Sequence, residues 1–201
     1  MNETWPEIKK RKRKERRGET YDWIQSLVSA LLFCILVFTF VVRVITVNQT
    51  SMYDTLYDGD RVLVSNILYK PRRGDIVVLR KESFASHPII KRVIATEGET
   101  VSIDFTEGVV YVDGVPLDEP YTYEPTYRRL DFGSDVTVPE GCVFVLGDNR
   151  NGSTDSRDDR IGCVDERLIM GKAFFMIFPG FDAAKGERPD FSRIGALKNG
   201  Q

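Results

Sequence analysis

Two residues in this chain have the types and the setting that nucleophilic chemistry needs. Ser51 lies within the run from Val47 to Leu56, and Lys91 begins the run Lys91-Arg92-Val93-Ile94 about forty residues later. The chain contains a single histidine, His87. A serine nucleophile needs a base that takes its proton, and a lysine amine can replace the usual imidazole. The pattern therefore predicts a hydrolase with an amine as its base.

A third candidate run, residues 147–157, is dense in polar side chains and directly follows the apolar residues 143–146. A solvated loop is the plain interpretation of such a run. Asp155 and Arg157 stand two positions apart, so an extended backbone places them on one side, where they can form an ion pair. Ser153 and Ser156 add small hydroxyl groups that are suited to orienting another group.

An apolar segment precedes these runs and predicts a membrane anchor over residues 22–43. No charged residue stands between Asp22 and Arg43. About twenty helical residues span about 30 Å, the thickness of a bilayer core. A buried helix of a soluble protein would show a polar face, and this segment has none. A cleaved signal peptide would have a shorter apolar region followed by a small-x-small site.

The charges before the anchor predict its orientation. Residues 1–20 carry eight Lys or Arg and four Glu, while the whole chain has a net charge of −2. Alone, this segment could be a nucleic-acid-binding arm. Directly before an apolar segment it indicates a cytoplasmic N-terminus, with residues 1–21 inside and everything after Arg43 outside. No nucleic-acid partner is expected, and the composition of residues 1–20 favours disorder.

The remaining residues, 44–201, predict a mainly β domain on the outer side. Short runs rich in Val, Ile and Phe are bounded by Gly, Asp, Asn or Pro, as strands are. Asp113-Gly114 predicts a two-residue hairpin, and Pro116 puts the second strand of that hairpin at an edge. Residues 100–140 form a small excursion from the main sheet, and residues 180–201 are expected to pack loosely. The predicted strands are 61–64, 75–79, 92–94, 101–103, 109–112, 143–146 and 173–177.

Cysteines and metal ligands contribute little. Cys142 and Cys163 flank residues 143–162 and would approach each other if the ends of that segment pair, so a disulfide and two separate thiols both stay open. With one histidine and no Cys-x-x-Cys motif, no zinc site is expected. We expect neither a metal nor another cofactor.

Four motifs together resemble the ordered sequence boxes of bacterial type I signal peptidases of the short, single-anchor, Gram-positive type. The resemblance covers about residues 44–178 behind the anchor. Each box alone is weak evidence, and their common order makes the match specific. The boxes are Ser51-Met52-x-x-Thr55-Leu56, Gly74-Asp75-Ile76-Val77-Val78, Lys91-Arg92-Val93-Ile94 with residues 97–101, and Gly147-Asp148-Asn149-Arg150-x-x-Ser153-x-Asp155-Ser156-Arg157.

The resemblance implies a membrane-bound serine endopeptidase that removes signal peptides through a Ser-Lys dyad and an acyl-enzyme. It assigns Ser51 as the nucleophile and Lys91 as the general base. Ser153 would donate or accept a hydrogen bond that orients the lysine. Two ion pairs, Asp155 with Arg157 and Asp148 with Arg92, would support the site.

A lysine base must have a lowered pKa, because an ordinary lysine with a pKa of about 10.4 is almost wholly protonated at pH 7. Burial against apolar residues would lower the pKa of Lys91, whereas a carboxylate in contact would raise it. We therefore expect Asp148 and Asp155 to pair with arginines and to point away from the ammonium.

Two positions depart from the family's pattern. Gln49 stands two residues before Ser51, where some members have a hydroxyl or a glycine, so the second oxyanion donor is open: the Gln49 amide either reaches the site or faces water. Asp54 replaces the usual proline and is expected to cap the turn. His87 is expected on a loop without a catalytic part.

The expected substrate is an extended preprotein segment that adds as a strand to residues 44–49 and 88–91. Its small side chains would enter shallow pockets formed by Val47, Gln49, Met52, Ile89 and Ile90. An apolar rim near Met52, Tyr53 and Leu56 would either touch lipid headgroups or pack in the core.

Two other function classes remain. A self-cleaving repressor also uses serine and lysine on a β fold, but it would have a DNA-binding helical domain in place of an anchor. An anchored binding module without turnover would be expected to lose Ser51 or Lys91, and this chain has both.

Overall fold

The computed structural model describes residues 5–81, 83–181, 186, 188–198 and 200. The chain divides into two compact units, residues 1–41 and 42–201. Each is described by itself below.

The first unit contains one helix, α1 (Trp5–Phe40). Within the described residues it is the one helix long and apolar enough to cross a membrane, over Thr20–Val37. The predicted anchor over residues 22–43 is thus helical up to Phe40, and Arg43 already belongs to the first strand. The expected disorder of residues 1–20 is wrong from Trp5 onward. Lys, Arg and Glu are good helix formers, so a helix that is established in the apolar segment extends through them at little cost.

The second unit is mainly antiparallel β, which confirms the predicted fold class. All seven predicted strands are present. The strands are β1 (Arg43–Thr46), β2 (Arg61–Ser65), β3 (Ile76–Leu79), β4 (Ile89–Thr96), β5 (Thr100–Asp104), β6 (Val109–Val112), β7 (Val115–Pro116), β8 (Val136–Thr137), β9 (Cys142–Leu146), β10 (Val164–Asp165), β11 (Ile169–Phe178) and β12 (Gly195–Ala196).

The larger sheet has the order β1-β2-β11-β3-β4-β9-β10, and β12 pairs with β11 outside this path. The central strands β3 and β4 are buried along almost their whole length. Strand β4 pairs with β3 over Ile89–Arg92 and with β9 only from Arg92 onward. The first three residues of β4 therefore have a strand partner on one side among the described residues.

The smaller sheet, β7-β6-β5-β8, corresponds to the predicted excursion over residues 100–140. Asp113 and Gly114 have φ angles of +51° and +75°, as the two turn positions of the predicted hairpin require. Pro116 lies on β7, an edge strand, where the missing N–H costs no ladder hydrogen bond.

The short C-terminal elements correct the expectation of a loosely packed end. A single 3-10 turn, Phe191–Arg193, begins at the capping side chain of Asp190. Strand β12 then pairs Gly195 with Met176 and Ala196 with Phe175. The sequence did not predict β12, because a strand of two residues is too short to show a hydrophobic period.

Cys142 and Cys163 are both free thiols in this structure. The sequence left open a disulfide or two separate thiols, and the structure has the two separate thiols. Burial raises the pKa of both thiols.

Candidate active site

Ser51 lies in the connection between β1 and β2, residues 47–60, here called the turn that carries Ser51. Two backbone hydrogen bonds shape this turn, from Tyr53 N–H to the Thr50 carbonyl at 3.1 Å and from Leu56 N–H to the Met52 carbonyl at 2.8 Å. Met52 and Leu56 are buried in the core under the turn. Because their apolar side chains anchor the turn from below, Ser51 is held at its outer side. The sequence left open whether these two residues touch lipid headgroups or pack in the core, and in the structure both pack in the core.

Lys91 reaches Ser51 from the third position of β4. Its Nζ atom donates a hydrogen bond to the Ser51 Oγ atom over 2.7 Å. The lysine is 2% exposed, so its amine meets the serine hydroxyl within protein instead of water. Adjacent strand residues point to opposite faces, so Arg92 leaves the sheet on the other side. The fold therefore brings together the two residues that the sequence separates by forty positions.

The burial of Lys91 changes its acid–base behaviour. Desolvation lowers the pKa of Lys91 from 10.5 to about 8, against the opposing attraction of the Asp155 and Asp148 charges, which raises it. The charge of Arg157 lowers it further. A pKa of about 8 leaves about a tenth of the amine neutral at pH 7, which an ordinary lysine does not approach.

The first buried ion pair joins Asp155 and Arg157. Two hydrogen bonds of 2.9 Å run from the guanidinium to the two carboxylate oxygens, and neither side chain is exposed. Burial tends to raise the pKa of Asp155, but its bonds to Arg157 outweigh burial and lower it. Asp155 also accepts the N–H of Gly147 at 3.0 Å. The carboxylate thus forms the expected ion pair with the arginine and, in addition, a hydrogen bond with the backbone.

The second buried pair joins Arg92 and Asp148 with two hydrogen bonds of 2.8 and 2.6 Å. Neither side chain is exposed. Asp148 also accepts the hydroxyl of Thr55 at 2.6 Å, which connects this pair to the turn that carries Ser51. The guanidinium of Arg92 lies 3.9 Å from the ring centre of Tyr121. Breaking such a pair leaves a buried charge without a partner, at a cost of about 3–5 kcal/mol.

Ser153 does not make the hydrogen bond to Lys91 that the family resemblance implies. Its Oγ atom is buried and has no hydrogen-bond partner among the described residues. Lys91 instead directs its amine at Ser51. The Ser153 side chain packs against Gly147, where an added Cβ atom would overlap it. Glycine at position 147 therefore makes room for the buried hydroxyl.

Gln49 and His87 meet across the mouth of the site. Their Nε2 atoms are 3.3 Å apart. Gln49 has a φ angle of +104°, and its N–H donates to an Asp58 carboxylate oxygen at 2.8 Å. His87 lies on the loop before β4, as expected. Gln49 is exposed and lines the cleft, and its side-chain amide contacts the His87 imidazole, a partner that the sequence gave no reason to expect. The second oxyanion donor stays a prediction.

Asp54 contributes to the turn through its side chain. The Tyr57 hydroxyl donates to an Asp54 carboxylate oxygen at 2.6 Å. The expected capping of a backbone N–H by Asp54 is not among the hydrogen bonds of the described residues. The backbone of this stretch is satisfied instead by the Asp60 carboxylate, which accepts the Tyr57 N–H at 2.8 Å.

A cleft of about 340 Å³ opens at the Ser51–Lys91 pair. Two of the predicted binding residues, Gln49 and Ile89, line it. The other three, Val47, Met52 and Ile90, pack together in the core below and are at most 6% exposed. Sequence reasoning did not assign the further lining residues, which come from three separate loops: Thr50, Phe84, Gly152 and Thr154.

Among the residues that the structure describes, no three His, Cys, Asp or Glu side chains are grouped closely enough to hold a metal ion. What the cleft does hold is a hydroxyl bonded to an amine of lowered pKa. That pair can remove a proton from an oxygen nucleophile and return it to a leaving group.

Comparison with known proteins finds relatives that all belong to one family. The sequence model of the family described as "Signal peptidase, peptidase S26" matches residues 20–178. The chain is 34% identical over 180 residues to "Signal peptidase I" of Bacillus amyloliquefaciens, covering 84% of this chain and 91% of the relative. It is 39% identical over 166 residues to "Probable signal peptidase I-1" of a Synechocystis species, covering 78% and 81%.

One solved structure is also similar in sequence. It is a signal peptidase I from Enterococcus faecalis V583, with 33% identity and a TM-score of 0.43, covering 52% of this chain and 97% of that one.

Proposed function

The chain belongs to the signal peptidase family, peptidase S26, and from this membership we propose that it is anchored in a membrane and removes signal peptides from exported preproteins with a Ser51–Lys91 dyad. The protein is a serine endopeptidase of the signal peptidase I type. The observation that carries the dyad is the 2.7 Å hydrogen bond from the buried Lys91 amine to the Ser51 hydroxyl.

The reaction begins when the neutral Lys91 amine takes the Ser51 proton while Oγ attacks the scissile carbonyl carbon. The tetrahedral intermediate collapses as its carbon–nitrogen bond breaks, and the Lys91 ammonium protonates the departing amine of the mature protein. An acyl-enzyme remains, with the signal peptide esterified to Ser51. Lys91 then takes a proton from the water that attacks the ester carbon. As the ester carbon–oxygen bond breaks, the Lys91 ammonium returns this proton to Ser51 Oγ, and the cleaved signal peptide leaves with a free carboxyl group that ionises in water.

The oxyanion of each tetrahedral intermediate needs fixed donors. In the described part of the structure the Ser51 N–H donates no hydrogen bond, so it remains free for this role. Gln49 is engaged with His87 and would have to leave it to act as a second donor. Burial maintains the neutral fraction of Lys91 without an adjacent histidine, because desolvation outweighs the charges of Asp155 and Asp148, which raise its pKa.

The substrate would lie as an added strand between Asn48 and the beginning of β4. The backbone of Val47 pairs with Gly59 and Asp60 on one side, at 2.8 Å each. Because peptide groups alternate along an extended chain, Asn48 offers its N–H and carbonyl to the opposite side. Ile89–Lys91 has a strand partner only in β3 among the described residues. The closed floor of Val47, Met52 and Ile90 favours small side chains such as alanine.

The sequence and helix α1 together support one membrane topology. We propose that Thr20–Val37 of α1 spans the bilayer once, with the basic residues before it on the cytoplasmic side. The catalytic unit would then lie on the outer side of the cell membrane, where signal peptides of exported proteins emerge. Lipid is thus the expected partner of α1, and no nucleic acid is expected to bind.

The test uses the full chain in detergent or lipid with a preprotein that carries an Ala-x-Ala cleavage site. Ser51→Ala and Lys91→Met should each lower the cleavage rate by at least 1000-fold, on the order of the losses seen when a nucleophile or its base is removed. The matched controls are Ser86→Ala and Lys70→Met, which change exposed residues of the same types. Retention of activity in both Ser51→Ala and Lys91→Met would disprove the dyad.

A further inference from the structure

Residues 188–198 and 200, here called the C-terminal segment, attach to the back of the turn that carries Ser51. They follow the family match, which ends at residue 178. Leu197 packs against the core cluster that contains Met52 and Leu56. The Leu197 N–H also donates to the Phe174 carbonyl at 3.0 Å. The segment is thus held both by strand pairing and by burial of an apolar side chain.

Arg193 makes the most extensive contact within this segment. Its guanidinium donates to both carboxylate oxygens of Asp60, at 3.1 and 2.8 Å, and to the Thr55 carbonyl at 3.2 Å. It also lies 3.7 Å from the ring centre of Tyr57. The Asp60 side chain is fully buried and that of Arg193 is 17% exposed. One side chain therefore contacts three residues of the turn at once.

Those three residues determine the shape of the turn. Asp60 accepts the Tyr57 N–H at 2.8 Å and the Gly180 N–H at 2.6 Å, and its carbonyl accepts the Val47 N–H at 2.8 Å. Thr55 donates its hydroxyl to Asp148. The turn is thereby fixed at its end by Asp60 and at its middle by Thr55. Arg193 holds both points against the C-terminal segment.

We propose that Arg193 is a positioning residue for Ser51 and that the C-terminal segment is part of the catalytic unit. This inference rests on the proposed dyad, because it assigns Arg193 the task of keeping Ser51 within reach of Lys91. Arg193 itself is absent from the cleft lining and touches neither residue of the dyad. Its effect reaches the nucleophile through the turn.

Two backbone contacts at the end of the segment support the same conclusion. The Lys198 carbonyl accepts from Arg92 at 3.4 Å, and the Gly200 N–H donates to the Gly74 carbonyl at 3.2 Å. The same Gly74 carbonyl accepts from Arg92 at 2.8 Å. The segment therefore contacts the Arg92–Asp148 pair as well as the Ser51 turn.

The experiment measures kcat and KM for peptide cleavage by the full chain in detergent, per folded protein. Arg193→Ala should lower kcat at least tenfold with KM unchanged within about threefold, because displacement of a nucleophile by about 1 Å costs on the order of 100-fold. The pH midpoint of activity should not move, since Arg193 is not among the charges that act on Lys91. Millimolar methylguanidinium should restore part of the lost kcat.

The control is Arg167→Ala, which removes an exposed arginine that also pairs with a carboxylate, that of Asp165. Its kcat and KM should equal those of the wild type. If Arg193→Ala fails to fold, Arg193→Lys becomes the test variant, since a lysine can pair with Asp60 but not also reach Thr55 in the same geometry. It should then show an intermediate kcat.

An unchanged kcat, a change confined to KM or a shifted pH midpoint would each overturn the positioning role. A wild-type protein without cleavage activity would instead contradict the proposed function. The two failures are therefore distinguishable.

Discussion

The lowered pKa of Lys91 predicts how activity depends on pH. Activity requires the neutral amine, so kcat/KM should rise with pH and reach half of its maximum near pH 8. Between pH 7 and pH 9 the neutral fraction grows from about 9% to about 90%, which gives a rise of about tenfold. An ordinary lysine with a pKa of 10.5 would be neutral to only about 0.03% at pH 7, so burial increases the active fraction about 300-fold.

The lowered pKa of Lys91 also makes the stability of the fold depend on pH. The folded protein holds Lys91 with a pKa below its unfolded value, so the unfolded chain binds more protons between about pH 8 and pH 10.5. Burial of the ammonium therefore destabilises the fold at neutral pH, by about 3 kcal/mol. This penalty should disappear as the pH rises through that window. Lys91→Met lacks the penalty and should be the more stable protein at pH 7, with its advantage shrinking toward pH 10.5.

The assay combines two measurements on the same proteins. Initial rates of cleavage of an Ala-x-Ala peptide are recorded from pH 6 to pH 10 in detergent, and unfolding is followed at each pH for wild type and Lys91→Met. Lys70→Met is the control for loss of an exposed lysine and should show no pH-dependent stability difference. A midpoint above pH 10, or Lys91→Met being less stable than wild type at pH 7, would refute the account of Lys91 as a desolvated base.

Three further predictions concern the surroundings of the dyad. Ser153→Ala should leave the unfolding free energy within about 1 kcal/mol of wild type, because the buried hydroxyl has no partner among the described residues to lose. We propose that this hydroxyl orients Lys91 during the reaction, so kcat should fall at least about tenfold; unfolding and cleavage are measured on one preparation. Asp148→Ala should cost about 3–5 kcal/mol in a denaturant titration, because it leaves Arg92 buried without its partner. Gln49→Gly should be about 1 kcal/mol more stable than Gln49→Ala by thermal unfolding, because a φ of +104° strains any residue with a Cβ atom.

Each of these has an outcome that contradicts it. Ser153→Ala with full activity would remove that serine from the mechanism. Asp148→Ala within 1 kcal/mol of wild type would mean that water reaches Arg92. Equal stability of the two Gln49 variants would mean that the backbone at this position relaxes without cost.

Much of the architecture follows from local sequence patterns. The runs of Val, Ile and Phe predicted seven strands because a strand buried on one or both faces needs such residues in a short stretch. Asp113-Gly114 predicted its hairpin because few residue pairs accept two positive φ angles. The ordered boxes around Ser51, Lys91 and Asp148 identified the family, which the comparisons confirm.

The contacts within the site did not follow from those patterns. Three features of the site depend on how separate loops meet: the hydrogen bond between Gln49 and His87, the Ser153 hydroxyl without a partner among the described residues, and the four unforeseen residues of the cleft. A loop's sequence constrains its own turns but carries little information about the neighbour it will face.

Sequence alone determined which chemical groups are available here and in which order: a serine, a lysine, two arginine–carboxylate sets and an apolar segment before them. Only the tertiary structure determined the acid–base behaviour of those groups and the distances between them. It buried Lys91, which lowers its pKa, and brought its amine to 2.7 Å from Ser51. It also brought Arg193, from the C-terminal segment, into contact with the turn that carries Ser51. The physical reason is that hydrophobic periodicity is a local property, whereas desolvation and charge pairing depend on which distant segments the fold packs together.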